Sequence, residues 1–456
     1  MRFLLAFAVL LLAPLCLRAA DPAEQPPRPN VLLIFSDDQG MHDLACYGGE
    51  FPTPNLDALA AAGTRFTQWY VASSICTPSR YGLLTGRYPS RSRDGLLGAL
   101  MFLGEEDEAR GIRPEETTIA ERLREARYRT ALIGKWHLGH GEAAFLPTRH
   151  GFERFFGHTG GCVDFFTLRY GSREDWCHQE RHVRPAGYAT EVITNAAVEF
   201  LGAQTAEQPF FLFLAYNAPH FAKGWDAEAG KTENIMQPRP EDLERVKGIE
   251  DPLRRAFAAK VVGMDDGIGR VLAALEEREL ARNTLVIFMT DNGGDPVYGG
   301  SNEPFRGVKA TLYEGGIRVP CLMRWPGRIP VGRTCEAVAG AIDLFPTLAR
   351  LAGLEVEASE LDGRNITPLL LGGPGEEREM LWQLGAHAEL GRSNWSALRA
   401  GDWKLVAAPD AAPELFNIAK DPSEKYDLAA EEPERLRKLL ARRDALLEEC
   451  RASRGK

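Results

Sequence analysis

Asn30-Val31-Leu32-Leu33-Ile34-Phe35, running directly into Ser36-Asp37-Asp38-Gln39-Gly40, is the stretch from which the fold can be read. A short, almost continuous apolar run is the pattern of a strand covered on both faces, as in a parallel sheet. The pattern recurs three times. Tyr128 to Ile133 stops at Gly134-Lys135-Trp136-His137-Leu138-Gly139. Pro209 to Ala215 stops at Tyr216-Asn217-Ala218-Pro219-His220. Thr284 to Met289 stops at Thr290-Asp291-Asn292-Gly293-Gly294. Helical patterns lie between them at Asn55–Ala62, Thr118–Ala126, Ala189–Leu201 and Arg254–Glu277. Strands alternating with helices predict an α/β fold with a large, mostly parallel central sheet flanked by helices. Such sheets bind ligands beyond the carboxyl ends of their strands. The four ends here carry Asp-Asp, Lys-x-His, His and Asp-Asn, which points to one composite site.

The chain then changes character. Gly372-Gly373-Pro374-Gly375 breaks it, antiparallel strands are expected in Ala397–Ala407 and Glu414–Ile418, and Pro433–Cys450 reads as a charged helix. The expected organisation is a signal peptide at 1–20, a linker at 21–28, a catalytic domain at 29–372 and a small C-terminal antiparallel-sheet-and-helix subdomain at 373–456.

Arg2, the apolar run Phe3–Leu17 and Ala19-Ala20 form the pattern of a cleaved export signal, too short for a membrane span. The protein is therefore expected to be exported, periplasmic or secreted (lysosomal or secretory if eukaryotic), with no stable membrane insertion. The formal charge is −10, and losing Arg2 and Arg18 with the signal makes it more negative. Nucleic acid is excluded as a general partner, since phosphate contacts need clustered Lys and Arg. Export permits disulfides. Of eight cysteines, the nearest pairs are Cys162–Cys177 and Cys321–Cys335, and connectivity stays open. The lack of a CxxC pair argues against a zinc-thiolate site.

Asp37, Asp38, Asp291 and Asn292 offer only oxygen donors, which suits Ca²⁺ or Mg²⁺ rather than zinc. Asp265-Asp266 repeats the dipeptide inside a helical pattern and is expected to be structural. Arg80, Lys135, His137, His220 and Lys309 are cations or potential cations at or near the same sheet end, and they imply an anionic, tetrahedral substrate. His140, His150 and His158 are read as ordinary core or loop histidines.

Ser74-Ile75-Cys76-Thr77-Pro78-Ser79-Arg80 with Thr85-Gly86-Arg87 resembles the signature of type I, formylglycine-dependent sulfatases. The resemblance extends through Asp37-Asp38-Gln39-Gly40, Gly134 to Gly139, Leu146-Pro147 with Gly151-Phe152-Glu153, Pro209 to His220, Asp291-Asn292-Gly293, Lys309 to Pro320, Leu361-Asp362-Gly363 and Glu414 to Leu428. It covers nearly all of residues 29–430. Gly160 to Phe166 and Gly187 to Thr190 resemble the N-acetylgalactosamine-6-sulfatase and arylsulfatase A branch.

The resemblance implies an alkaline-phosphatase-like sandwich and hydrolysis of the sulfate ester of a sulfated sugar or aryl sulfate. It implies that a formylglycine-generating maturation enzyme converts Cys76 to an aldehyde whose hydrate is the nucleophile. One Ca²⁺ would be held by Asp37, Asp38, Asp291, Asn292 and position 76. Arg80 and Lys135 would steady the hydrate and the sulfate, and His137 would assist deprotonation. His220 and Lys309 would bind sulfate and protonate the leaving oxygen. One departure stands out: Phe221-Ala222-Lys223 follows Ala218-Pro219-His220 where a Thr-Pro-like continuation is expected, in a loop that shapes the substrate pocket. Two rivals are a formylglycine-dependent phosphonate or phosphodiester hydrolase of the same superfamily, and a non-catalytic sulfoglycan-binding protein. The sulfated sugar, the sulfate position and the oligomeric state are not read from the sequence.

Overall fold

The computed structural model of the chain describes residues 28–385 and 394–454. The expected signal peptide, and all of the expected linker but Arg28, lie outside the described residues. Eleven strands form one sheet: β1 (Asn30–Asp37), β2 (Thr64–Tyr70), β3 (Arg129–Lys135), β4 (Arg154–His158), β5 (Trp176–His178), β6 (Arg181–His182), β7 (Phe210–Pro219), β8 (Thr284–Thr290), β9 (Arg318–Arg324), β10 (Arg333–Cys335) and β11 (Ala339–Gly340). Their spatial order is β10-β2-β9-β8-β1-β7-β3-β4-β5-β6, with β11 also on β2. The five central strands β8, β1, β7, β3 and β4 are parallel. β9 runs against β8 and β2. The sheet is therefore mixed at both margins and parallel where the site forms.

The apolar run of β1 shows why it is central. Val31, Leu33 and Phe35 enter one core, while Leu32 and Ile34 enter the other. Strand side chains alternate between faces, so a run without polar residues needs a cover on each side. Each buried aliphatic side chain contributes about 2 kcal/mol of transfer free energy. One face is covered by α2 (Cys76–Thr85), α3 (Ile119–Glu125) and α6 (Leu344–Leu351). The other is covered by α1 (Pro54–Ala61), α4 (Ala189–Gly202) and α5 (Pro252–Glu277). Local signals set the starts. Thr118 and Glu121 form a reciprocal cap on α3. Asp251 accepts from Arg254 N at the start of α5, where Pro252 sits in the first turn.

β7 is longer than expected, running through Tyr216-Asn217-Ala218 to Pro219 rather than ending at Ala215. Its register with β1 shifts between the Phe35–Ala215 and Asp37–Pro219 pairs. That irregularity sets Pro219 opposite Asp37, so His220 emerges beside the acidic end of β1.

The C-terminal region holds a four-stranded antiparallel sheet, β12 (Glu379–Gln383), β13 (Ser396–Ala400), β14 (Trp403–Ala407) and β15 (Glu414–Asn417), covered by α7 (Pro433–Ala452). β12 is an addition to the strands expected from sequence. This sheet shares the main core: Met380, Trp382, Ala397, Val406 and Phe416 pack into the cluster that covers β1. Trp382 Nε1 donates to Val71 O at 2.7 Å. Buried Lys404 bridges Glu314 and Glu424 at 2.8 and 2.9 Å.

The seven described cysteines are free. Cys321 and Cys335 both lie opposite Phe66, on the two flanks of β2. Two strand spacings, roughly 10 Å, are too far for a disulfide.

Candidate active site

The backbone turns at Asp38, which adopts φ 60°. This non-glycine left-handed residue lets Asp37 and Asp38 both reach the space beyond the sheet, which successive strand residues otherwise could not do. Thr290 ends β8 next door, and Asp291 and Asn292 follow. Gly293 is required by close approach, since a Cβ there would stand 1.8 Å from Gly315 O. Asp291 Oδ1 accepts from Asp38 N at 3.1 Å, and Asn292 Nδ2 donates to Asp38 Oδ1 at 2.8 Å. Two adjacent strand ends thus fuse into one cluster of three carboxylates and an amide.

Cys76 is the first residue of α2, and every residue of that helix is buried. Its Sγ lies 3.7 Å from Asp37 Oδ1. The helix N-terminus adds partial positive charge there. Neighbouring residues of the same stretch pin the site together. Ser74 O accepts from Ala310 N at 2.8 Å, which fixes the Lys309 loop. Thr77 Oγ1 donates to His137 O and accepts from Leu100 N, both at 3.1 Å. Arg80 donates to Lys135 O and to Asp291 Oδ2, each at 3.0 Å.

The cations sort into two layers. Lys135 at the end of β3 donates to Asp37 Oδ2 at 2.6 Å. Lys135 and Arg80 have fully buried side chains and brace the carboxylates from behind. Lys309 reaches the cluster along the loop before β9 and donates to Asp38 Oδ2 at 2.6 Å. Its Nζ lies 3.2 Å from His220 Nε2. Cys76, His137, His220 and Lys309 line an open pocket of about 350 Å³. Arg80 and Lys135 do not line it, because their bonds to the carboxylates hold them below its floor.

Both site histidines have readable tautomers. His220 Nδ1 lies 2.8 Å from Phe221 O, so Nδ1 carries the hydrogen and Nε2 accepts from Lys309. His137 Nε2 lies 2.9 Å from Leu100 O, so its Nδ1 is bare, buried and without a partner. Burial and the nearby Lys135 hold His137 well below the ordinary imidazole range. Burial and Lys309 do the same to His220. Burial pulls Lys309 down, but Asp38, Cys76 and Asp37 together outweigh it and hold the ammonium well above its usual range. Burial, with Asp291 beside it, pushes Asp37 up to about 8. Burial also drives the Cys76 thiol upward, despite Lys135 and Lys309, so an unmodified thiol here would be a poor thiolate nucleophile.

The donor set fits a hard divalent cation. Ligand atoms of Asp37, Asp38, Cys76 and His220 all lie within 4.8 Å of one another. Asn292 Oδ1 is buried with no partner. With all three carboxylates ionised, their charge equals that of Arg80, Lys135 and Lys309, but the raised Asp37 keeps a proton near neutral pH until a cation displaces it. A divalent ion would leave it at about +2, complementary to an anionic ester.

The histidines set aside in the sequence keep structural roles. His158 Nδ1 contacts Gly160 O at 3.1 Å, and His150 Nε2 contacts Ala144 O at 3.0 Å. His140 packs against Phe102 with centroids 4.8 Å apart and the rings tilted. The sequence reading pointed to Phe221 but missed the rest of the pocket wall: Leu100, Met101, Phe102, Tyr170 and Tyr298. These residues come from loops and from two- and three-residue elements, Arg169–Tyr170 and Pro296–Tyr298, too short to show periodicity. The one available signal was the unusual Phe221-Ala222-Lys223 stretch.

Fold and site together define an α/β ester hydrolase built to handle an oxyanion. The chain belongs to the sulfatase family, whose model matches residues 29–354. A second model, described as N-sulphoglucosamine sulphohydrolase, C-terminal, matches residues 308–451. The chain is 34% identical to arylsulfatase A of Homo sapiens, over 88% of this chain and 83% of that protein. It is 32% identical to N-acetylgalactosamine-6-sulfatase of Canis lupus familiaris, over 89% of this chain and 83% of that protein. Among solved structures, Ps i-CgsB in complex with k-i-k-neocarrahexaose superposes with a TM-score of 0.82 at 31% identity, covering 92% of this chain and 93% of that one. The enzyme class is sulfuric ester hydrolase.

Proposed function

We propose that this sulfatase cleaves the sulfate ester of a sulfated carbohydrate or aryl sulfate at Cys76, with the strand-end residues holding one Ca²⁺. The observation that carries this is the position of Cys76. It sits at a helix N-terminus on the pocket floor, 3.7 Å from the Asp37 carboxylate, with His137, His220 and Lys309 lining the same pocket. Asp37, Asp38, Asp291 and Asn292 would hold the calcium, which supplies charge neutralisation for the sulfate oxygens. Oxidised to formylglycine, position 76 supplies a geminal diol as nucleophile.

The chain's own residues have separable tasks. Lys309, protonated through its contact with Asp38, binds a sulfate oxygen and is the proton source nearest the leaving group. His220 shares that proton through Nε2, held in one tautomer by Phe221 O. His137 is neutral, and its bare Nδ1 is the proton acceptor of the pocket. Gly161 leaves room for that ring, since a Cβ there would press to 2.8 Å of its Cε1 and Nε2. Arg80 and Lys135 hold Asp291 and Asp37 in place and add positive charge beneath the floor.

The burial of residues 76–85 supports a further point. A maturation enzyme cannot read Cys76, Pro78 and Arg80 in the folded protein, so conversion precedes folding. Among the described residues no helix is long and apolar enough to cross a membrane, and the pattern of residues 1–20 supports export.

The test compares nitrophenyl sulfate with bis(nitrophenyl) phosphate, using protein co-expressed with a formylglycine-generating enzyme. Mass spectrometry of the peptide containing position 76 measures conversion. We expect sulfate-ester turnover to dominate and Cys76→Ala to lose on the order of a thousandfold or more. Phosphodiester preference by orders of magnitude, or a Cys76→Ala protein at the wild-type rate, would overturn the reading.

A further inference from the structure

The pocket holds one cation that the sulfate site does not use. Lys223 lies on the hairpin Ala222–Asp226/Lys231–Ile235, directly opposite Asn234. It follows the site histidine by three residues and is only 9% exposed. Its Nζ donates to Asn234 Oδ1 at 2.6 Å. Asn234 is fixed in turn, since its Nδ2 donates to Tyr298 OH at 2.9 Å. Arg80, Lys135 and Lys309 each pair with a carboxylate. Among the ion pairs of the described residues, Lys223 has none. A nearly buried ammonium resting on one neutral amide and the faces of Tyr170 and Phe221, with no carboxylate in an ion pair, is incompletely compensated. Asp295 also faces the pocket, but its Oδ1 accepts from Val297 N at 3.0 Å in its own turn.

The spacing suits a second anchor. Phe221 packs against His220 with centroids 4.0 Å apart and against Tyr298 at 4.3 Å, both pairs tilted. The ammoniums of Lys309 and Lys223 each lie 5.9 Å from the Phe221 ring centroid, so no more than twice that distance separates them. Tyr170, whose centroid is 5.7 Å from Lys223 Nζ, closes the same side. The pocket therefore offers two cations that share the Phe221 ring as a neighbour, Lys309 at the sulfate site and Lys223 beside Tyr170.

We infer that Lys223 binds a second anionic group of the substrate, a sulfate or carboxylate carried within one sugar or ring of the scissile sulfate ester. The inference rests on the sulfatase reading of the floor and adds the substrate class: dianionic rather than singly sulfated. The ammonium keeps its bond to Asn234 and donates its other hydrogens to the incoming oxygens.

The test uses competitive inhibition of nitrophenyl sulfate hydrolysis by three non-hydrolysable probes: a naphthalene monosulfonate, a naphthalene disulfonate and a carboxynaphthalene sulfonate. The readout is the ratio of inhibition constants within one enzyme preparation, so lost activity or partial misfolding leaves it unmoved. We expect the better dianion to bind about tenfold tighter than the monosulfonate, the size of one charge-assisted hydrogen bond. Lys223→Met should bring the ratio to near one, and Lys223→Arg should restore most of it. The disulfonate and carboxylate arms show which second anion is preferred. Equal inhibition by all three probes, inhibition by none, or a dianion advantage that survives Lys223→Met would overturn the inference. Failure of the sulfatase reading looks different, because no Cys76-dependent hydrolysis of nitrophenyl sulfate would be seen at all.

Discussion

Asp37-Asp38 and Asp265-Asp266 are the same dipeptide with opposite fates. The first pair ends a central parallel strand, and φ 60° at Asp38 brings both carboxylates into one cluster with Asp291 and Asn292. The second pair lies within α5. Asp265 is buried and accepts from Asn55 N, Asn55 Nδ2 and Leu56 N at 3.0, 2.9 and 2.9 Å, satisfying orphan donors at the start of α1. Asp266 points outward and pairs with Arg245. On a helix, successive side chains diverge by about 100°, so two adjacent acids cannot converge. A bent strand end removes that constraint. The chemistry of a carboxylate pair is thus set by the backbone beneath it.

The strongest way to break the comparison is to remove the converging pair. Asp38→Ala deletes the acceptor of both Lys309 and Asn292. We expect kcat/KM for nitrophenyl sulfate to fall on the order of a thousandfold, read as initial rates on protein with matched conversion of Cys76. Retention of more than a tenth of the activity would remove Asp38 from the ion-binding role.

Calcium sharpens the same point without touching the chain's second pair. Burial first, and repulsion from Asp291 second, raise Asp37 in the ion-free cluster. An ion that binds only the folded protein stabilises it by about 3 kcal/mol at a hundredfold excess over Kd. Chelation should therefore lower the melting temperature of wild type and of Asp265→Ala alike, and leave Asp38→Ala unmoved. An unchanged wild-type melting temperature would deny that the cluster binds calcium.

Asp265→Ala should reverse the pattern. Three donors, two of them backbone groups at the first turn of α1, lose their acceptor inside the protein. We expect a loss of about 3 kcal/mol of stability in urea unfolding, with the rate per folded molecule retained. A selective loss of activity in this variant would show that α1 and α5 couple to the pocket.

How far these outcomes could be read from sequence differs by element. Parallel strands announce themselves, because burial on both faces demands an apolar run such as Val31–Phe35. Their ends are legible for the same reason, since charge can begin only where the sheet stops. The layering of the cations was not legible. Arg80 and Lys135 were expected to steady the hydrate and the sulfate, and each also meets a carboxylate that sequence places far away, Asp291 and Asp37. The wall was hidden too. Leu100 and Phe102 sit on loops, and Tyr170 and Tyr298 on elements of two and three residues, whose shape depends on tertiary contacts, and the paired hairpin that carries Lys223 is short. β12 escaped because its five residues alternate only weakly before packing Trp382 into the main core.

Asp266→Asn is the smallest and most discriminating test. Its side chain is 44% exposed and its partner Arg245 is 39% exposed. A pair this accessible is screened by water and salt, so its removal should cost no more than about 1 kcal/mol. Arg245 also keeps a second carboxylate, Asp242, at 3.4 Å, which cushions the loss further. Activity, calcium response and unfolding midpoint should all stay close to wild type. Asp37 and Asp38 are neighbours that fail together, whereas Asp265 and Asp266 should fail independently, because the helix turns one inward and the other to solvent. A midpoint shift in Asp266→Asn as large as that of Asp265→Ala would mean that the two acids of α5 act as a unit, and the contrast with the strand-end pair would dissolve.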